Sequence, residues 1–342
     1  MPRLQTFFLF SILLVPLFLA SATPAASSTG VEAALAWLRG QQQADGGFSN
    51  GFSPGSDIGA TADAVVAIAS AGQSPSGWLT GGTSPLEFLA QHAAEATSPG
   101  LAAKVTLAAI ATGEEPREFG GIDLTVAVAQ AFDPAAESSL YDHALALLAL
   151  EAAEATIPAG AVSGMTAARL PDGSFAFDAS LVPGNGDSNT TGLVVQALLV
   201  TGHGAETLPS FAYFRASQND DGGWTYQKPS PFGEATDANS TALVVQALLA
   251  GGQDLGEWGD PLRALIALQQ PSGALAFNAV TPGDNLLATI QAIPPLAGVD
   301  LTDVPRLASQ SGAPNTGVIF GAAALLLVLV LLAAGVVGRV ER

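Results

Sequence analysis

The sequence predicts an all-α domain of repeated helical hairpins, on three observations. A thirteen-residue phrase occurs twice, as Asp187-Ser188-Asn189-Thr190-Thr191-Gly192-Leu193-Val194-Val195-Gln196-Ala197-Leu198-Leu199 and as Asp237-Ala238-Asn239-Ser240-Thr241-Ala242-Leu243-Val244-Val245-Gln246-Ala247-Leu248-Leu249. Asp57-Ile58-Gly59-Ala60-Thr61-Ala62, followed by Val65 and Val66, keeps the same frame, and the three copies run on to Gly202, Gly252 and Gly72. A turn phrase also recurs with the frame Gln, three residues, Gly, one residue, aromatic: Gln42 to Phe48 and Gln218 to Trp224, with degenerate versions at Arg169 to Phe175 and Gln269 to Leu275. Finally, apolar residues make up 49% of the chain and charged ones 12%, which suits a large core and excludes disorder.

Apolar helical patterning broken by glycine-rich turns divides the chain into twelve segments. The first, 29–43, follows a Ser/Thr/Ala/Pro linker and ends in the first Gln-Gly turn; 57–72 is the first Asp-x-x-x-Thr helix. Segments 84–97 and 99–112 form the second hairpin, and 121–132 and 138–155 the third, where the turn phrase is largely lost. Then 158–169 ends at the Arg169 turn, 187–202 is the first full phrase, 207–218 ends at the Gln218 turn and 237–251 is the second full phrase. The last pair is 260–270, ending at the Gln269 turn, and 283–293. In each turn the glycine permits a left-handed residue that closes a helix, and the aromatic packs back onto neighbouring helix ends.

The two ends carry export signals. Arg3, the apolar run Phe7 to Leu19 and Ala20-Ser21-Ala22 read as a signal peptide over 1–22, the alternative being an uncleaved anchor. A linker spans 23–28, the helical body 29–297 and a second linker 298–317. Val318 to Gly338 is a 21-residue uncharged run, long enough to span a membrane, and Arg339 and Arg342 place the tail 339–342 in the cytoplasm. Ala313-Pro314-Asn315-Thr316-Gly317, ahead of that run, resembles the sortase sorting signal of bacterial surface proteins, with Ala313 in place of the usual leucine. The resemblance implies cleavage after Thr316 and covalent attachment to the cell wall by a sortase; a plain transmembrane anchor is the alternative. A lipid anchor is disfavoured by the charged end. The body is thus expected outside the cell, at the surface.

There is no cysteine, so no disulfide and no thiolate metal site, and the core alone must hold the fold. The net charge is −19, which argues against nucleic acid or an anionic membrane surface as a partner of the body.

The turn phrases resemble the Gln-Trp motif of squalene and hopene cyclases. The Asp-x-x-x-Thr helices resemble the inner helices of the same superfamily, which includes protein prenyltransferase β subunits and the α domain of cobalamin carriers. The resemblance covers residues 29–297 and implies an α/α toroid, six outer and six inner helices around a central cavity. It does not extend to the chemistry. Cyclases that protonate their substrate use the middle aspartate of Asp-x-Asp-Asp-Thr-Ala; the matching positions here are Asn189 and Asn239, and Gly59 in the first repeat. An amide delivers no such proton. Prenyltransferases hold zinc with Asp, Cys and His; here His92, His143 and His203 lie in separate hairpins without ligand spacing. No catalytic or metal-binding residue is therefore assigned. The loops at Asn185–Ser188 and Asn219–Gly222 follow no EF-hand order and read as turns.

Asp57, Asp187 and Asp237 each precede an apolar helix, where a carboxylate caps backbone N–H groups; the alternative is a place on the cavity rim. Thr61, Thr191 and Thr241 are expected to close the packing between inner helices. Trp224, like Trp78 and Trp258, either rims the cavity mouth or packs. Asn189 and Gln196 are seven apart and share a helix face, as do Asn239 and Gln246, so two helices carry the same polar stripe. These amides either bond one another between helices or line the cavity and bind a ligand. The expected function is a surface-anchored binding module for a small molecule or partner, a corrinoid-type ligand among the candidates. The alternatives are an enzyme of the cyclase or transferase type with a divergent site, and a structural or adhesive surface protein.

Overall fold

A computed structural model of the chain describes residues 25–133, 138–231 and 233–308. They form α1 (Ala25–Arg39), α2 (Ile58–Ser70), α3 (Pro85–His92), α4 (Pro99–Ala111), α5 (Leu124–Ala129), α6 (Leu140–Ala152), α7 (Ala161–Ala167), α8 (Ser188–Val200), α9 (Leu208–Ser217), α10 (Ala238–Ala250), α11 (Pro261–Ala267) and α12 (Leu286–Leu296). The even-numbered helices are apolar nearly all round, as helices buried on every side must be. Each packs against the next, and α12 returns to α2, closing an inner ring. The odd-numbered helices cover it from outside. The described residues form an all-helical α/α toroid.

Three boundaries differ from the sequence reading. α1 begins at Ala25, inside the stretch assigned to a linker. The outer helices α3, α5 and α7 are only six to eight residues long, because α3 and α5 tighten into 3-10 turns at 93–95 and 130–132. α12 runs through Pro294 and Pro295 to Leu296, since the Ala297 N–H still closes the last turn on the Ile293 and Pro294 carbonyls.

The turn phrase is a clasp between repeats. Gly46, Gly173, Gly222 and Gly273 have φ of +91°, +90°, +92° and +97°, and each abuts the backbone of the next outer segment. Gln42 Nε2 donates to the Gly46 and Trp78 carbonyls at 3.0 Å each. Gln218 repeats this with Gly222 and Trp258, and Gln269 with Gly273 and, 239 residues away, Gly30. The last pair joins the sixth repeat to the first. In the fourth repeat Arg169 substitutes, reaching the Glu206 carbonyl at 2.6 Å.

The threonines were expected to close inner-helix packing; they bind this clasp instead. Thr61, Thr191 and Thr241 Oγ1 accept the N–H of Phe48, Phe175 and Trp224 at 2.9–3.0 Å, and Thr289 accepts that of Leu275 at 2.8 Å. Thr61, Thr191 and Thr289 donate in turn to the carbonyl of their own helix cap, so each hydroxyl both accepts and donates. Close packing between inner helices falls to small residues. A Cβ on Gly192 would stand 2.9 Å from the Leu243 carbonyl oxygen.

Residues 298–308, also assigned to a linker, dock against the toroid as a strap. The Leu301 N–H donates to Gln196 Oε1 at 2.9 Å, the Leu307 N–H to the Ala111 carbonyl at 3.1 Å and Arg306 to the Ala152 carbonyl at 2.6 Å. Val304 is buried in the largest core cluster, and Leu301 and Leu307 pack beside it. Spaced three apart, these side chains give the strap one apolar side. It crosses the end of the toroid where α4 and α6 finish. The signal peptide, the Ala313–Gly317 motif, the 318–338 span and the tail lie outside the described residues; among the described residues no helix is long and apolar enough to cross a membrane.

Candidate functional site

The centre of the ring holds a chamber of only about 60 Å3, lined mostly by leucine, valine and isoleucine of the inner helices and closed on one side by Leu301 of the strap. That is room for about two water molecules. Two charges face it: Lys104 Nζ of α4 lies 2.7 Å from Asp63 Oδ2 of α2. Burial lowers the ammonium pKa, but attraction to Asp63, aided by Tyr141, the Asp63 hydrogen bond and Asp57, outweighs it, and the net shift is upward. Burial likewise pushes the Tyr141 phenol up. The sequence reading missed this cluster. Its signal was present, because a lone charge inside an otherwise apolar helix needs a buried partner.

The four amides of the stripe do not share one surface. Gln196 is fully buried, donating to the Gly192 carbonyl and accepting from Leu301, so it holds the strap. Asn239 donates to Gln291 Oε1 of α12 at 2.6 Å. Gln246 lines the chamber, and its Oε1 has no partner. Asn189 Oδ1, in the first turn of α8, is also buried and unpaired.

Asp57, Asp187 and Asp237 are N-caps, each accepting the N–H three residues on at 2.7–2.8 Å. The two full copies of the phrase differ electrostatically. Ser240 donates its hydroxyl to Asp237 Oδ2, whereas Asp187 Oδ2 meets no partner in hydrogen-bond geometry. Burial, opposed by the Thr190 N–H and the nearby Thr190 and Tyr226 hydroxyls, raises the Asp187 pKa from 3.8 to about 6. Burial raises Asp237 as well. Asp187 is 1% exposed and lines neither the chamber nor the cleft described below. Trp224 is likewise not on a rim: it is fully buried, donates Nε1 to the Phe214 carbonyl and packs 6.2 Å from Trp258.

The folded chain holds the Asp187 proton more tightly than the unfolded chain does. The resulting stabilisation is fully present below about pH 4 and is lost as pH rises through about 6. An asparagine in its place would cap nearly as well without the charge. Asp187→Asn is therefore expected to lose about 1 kcal/mol less stability than the wild type between about pH 5 and pH 8. Urea unfolding of both chains at the two pH values measures this.

The opposite end of the toroid, where the inner helices begin, is rimmed by loops that expose large apolar side chains. Each of three loops rests on the inner helix of the repeat before it: the carbonyls of Phe177, Tyr226 and Phe277 accept the first N–H of α6, α8 and α10 at 2.8 Å. Their side chains remain exposed, as does Phe52 in the loop before α2. Between that loop and the start of α12 lies a cleft of about 530 Å3, lined by Trp37, Phe52, Phe277, Asn50, Asn239 and Asp284 among others. Among the described residues no group of three or more His, Cys, Asp or Glu is placed to hold a metal ion.

No protein-family model matches the chain, and no curated protein matches it in sequence. Solved structures match it in fold. The type II terpene cyclase MstE from Scytonema superposes with a TM-score of 0.59 at 14% identity, over 80% of this chain and 97% of that one. Haptocorrin in complex with Cbi gives 0.56 at 12% identity, over 84% and 71%, and a wild-type glycosidase 0.55 at 13%, over 82% and 98%. This likeness places the chain among α/α toroids and says nothing of its chemistry.

Proposed function

We propose that this chain is an exported toroid, anchored at the cell surface, that binds a ligand or partner outside the cell and performs no terpenoid or prenyl-transfer reaction. The carrying observation is the chamber of about 60 Å3, filled from one end by the chain's own strap. It accommodates neither a polyprenyl chain nor a corrinoid. The acid positions of the cyclase motif are Asn189 and Asn239, which donate no acid proton. The raised pKa of Asp187 favours a rival, enzymatic reading, but that carboxyl is a buried cap out of reach of a substrate.

The strap also sets where the chain leaves the toroid. Ten residues separate Leu307 from Val318 at the start of the 318–338 span, a reach of at most about 40 Å. Whether the anchor is that span or a wall linkage at Thr316, the tether leaves from the strapped end, opposite the aromatic rim. The full-length chain in detergent, incubated with linear polyprenyl and triterpene substrates, is expected to yield no cyclised or transferred product. A product whose formation Asp187→Asn abolishes would overturn the proposal.

A further inference from the structure

The cleft lies at the seam between the sixth and first repeats. Phe52 is 90% exposed, yet its loop is ordered around one side chain: Asn50 Oδ1 accepts the Phe52 and Ser53 N–H groups at 2.9 and 3.0 Å and the Ser53 hydroxyl at 3.2 Å. Asn50 Nδ2 is tied to the Asp57 cap at 3.2 Å. Phe52, Phe277 and Trp37 stand around one cleft, and it is this clustering of large apolar side chains that marks an interaction site. Across the cleft stands Phe277, fixed through its carbonyl to α10. Trp37 also lines the cleft, its Nε1 donating to Asp284 Oδ2 at 2.9 Å while Ser272 holds Oδ1 at 2.6 Å.

We propose that this cleft binds a neutral oligosaccharide, an inference that rests on the chain being a binding module outside the cell. Aromatic rings flank a space also lined by the amide side chains of Gln41, Gln43 and Asn239, and none of the lining residues is Lys, Arg or His. Phosphate and sulfate groups have no cation to meet there, and the −19 net charge repels them further. A sugar presents apolar C–H faces, which stack on aromatic rings, and adjacent hydroxyls, which suit amides that offer a donor and an acceptor side by side. A volume of about 530 Å3 is within the range of ligand sites and fits a short saccharide rather than one ring. The opening faces away from the strapped end.

Trp37 lines the cleft, whereas Trp78, Trp224 and Trp258 are buried, so tryptophan emission reports occupancy. The full-length chain in detergent is titrated with four- to six-unit oligosaccharides of glucose, xylose, mannose and N-acetylglucosamine. Saturable binding is expected for at least one series. Phe52→Ala and Phe277→Ala are expected to weaken it about tenfold each, and Phe177→Ala, on another loop, to leave it unchanged. Phe52 packs against little, so its variant keeps the fold. No saturation with any series, or binding that both cleft variants leave intact, overturns the inference. Neither result bears on the absence of terpenoid chemistry, which the product assay tests separately.

Discussion

Gly273→Ala is expected to cost about 3 kcal/mol of stability, because it strikes the point where the ring closes. Gly273 has φ +97°, and a Cβ there would lie 2.4 Å from the carbonyl oxygen of Ala33, which is backbone of α1. The strained dihedral accounts for about 1–2 kcal/mol, and forcing the last repeat away from the first for the rest. The same displacement would stretch the Gln269–Gly30 hydrogen bond of 2.8 Å. Gly252→Ala is the control. Its φ is +63° with nothing within 4 Å of the added Cβ, so it should cost only about 1 kcal/mol. Equal losses in the two variants, measured by urea unfolding, would mean that the seam contributes nothing.

The second large effect is expected at the Asp63–Lys104 pair. Lys104→Met removes the ammonium and leaves Asp63 facing an apolar chamber without its partner. The two side chains are 20–25% exposed. Breaking one side of such a pair is expected to destabilise by about 3 kcal/mol, while Asp63→Leu with Lys104→Met should recover most of the loss. A double-mutant cycle measures the coupling; single and double variants that lose the same stability would show that the two charges act independently.

The inner ring was legible because its cause is local. An Asp cap followed by a helix apolar all round is a pattern one segment can display, and Asp57, Asp187 and Asp237 stand where it puts them. The turn glycines were legible for the same reason, since a left-handed residue leaves its mark at one position. What the turn glutamines do was not legible, because Gln42, Gln218 and Gln269 spend their amides on the next repeat, up to 239 residues away. The stripe shows the same limit. Seven-residue spacing places Asn189 with Gln196 and Asn239 with Gln246, but the partners came from elements outside the repeat, Leu301 and Gln291.

The strap was missed because Leu301, Val304 and Leu307 are too few for a helical pattern and sit in polar surroundings that read as linker. Lys104 and Asp63 were passed over for the opposite reason: each is a single charge in a strongly apolar helix, and only their meeting across two helices makes them a feature. The outer cleft is assembled from α1, two loops and the start of α12, with no phrase of its own.

The strap occupies the end of the toroid, and without it an open chamber would restore room for the chemistry of its fold relatives. Amide hydrogen exchange on the full-length chain in detergent tests this directly at Leu301 and Leu307, whose N–H groups are given to Gln196 and Ala111. Exchange as slow as that of the inner helices is the predicted result. Exchange of residues 299–308 at the rate of an unstructured linker would contradict it.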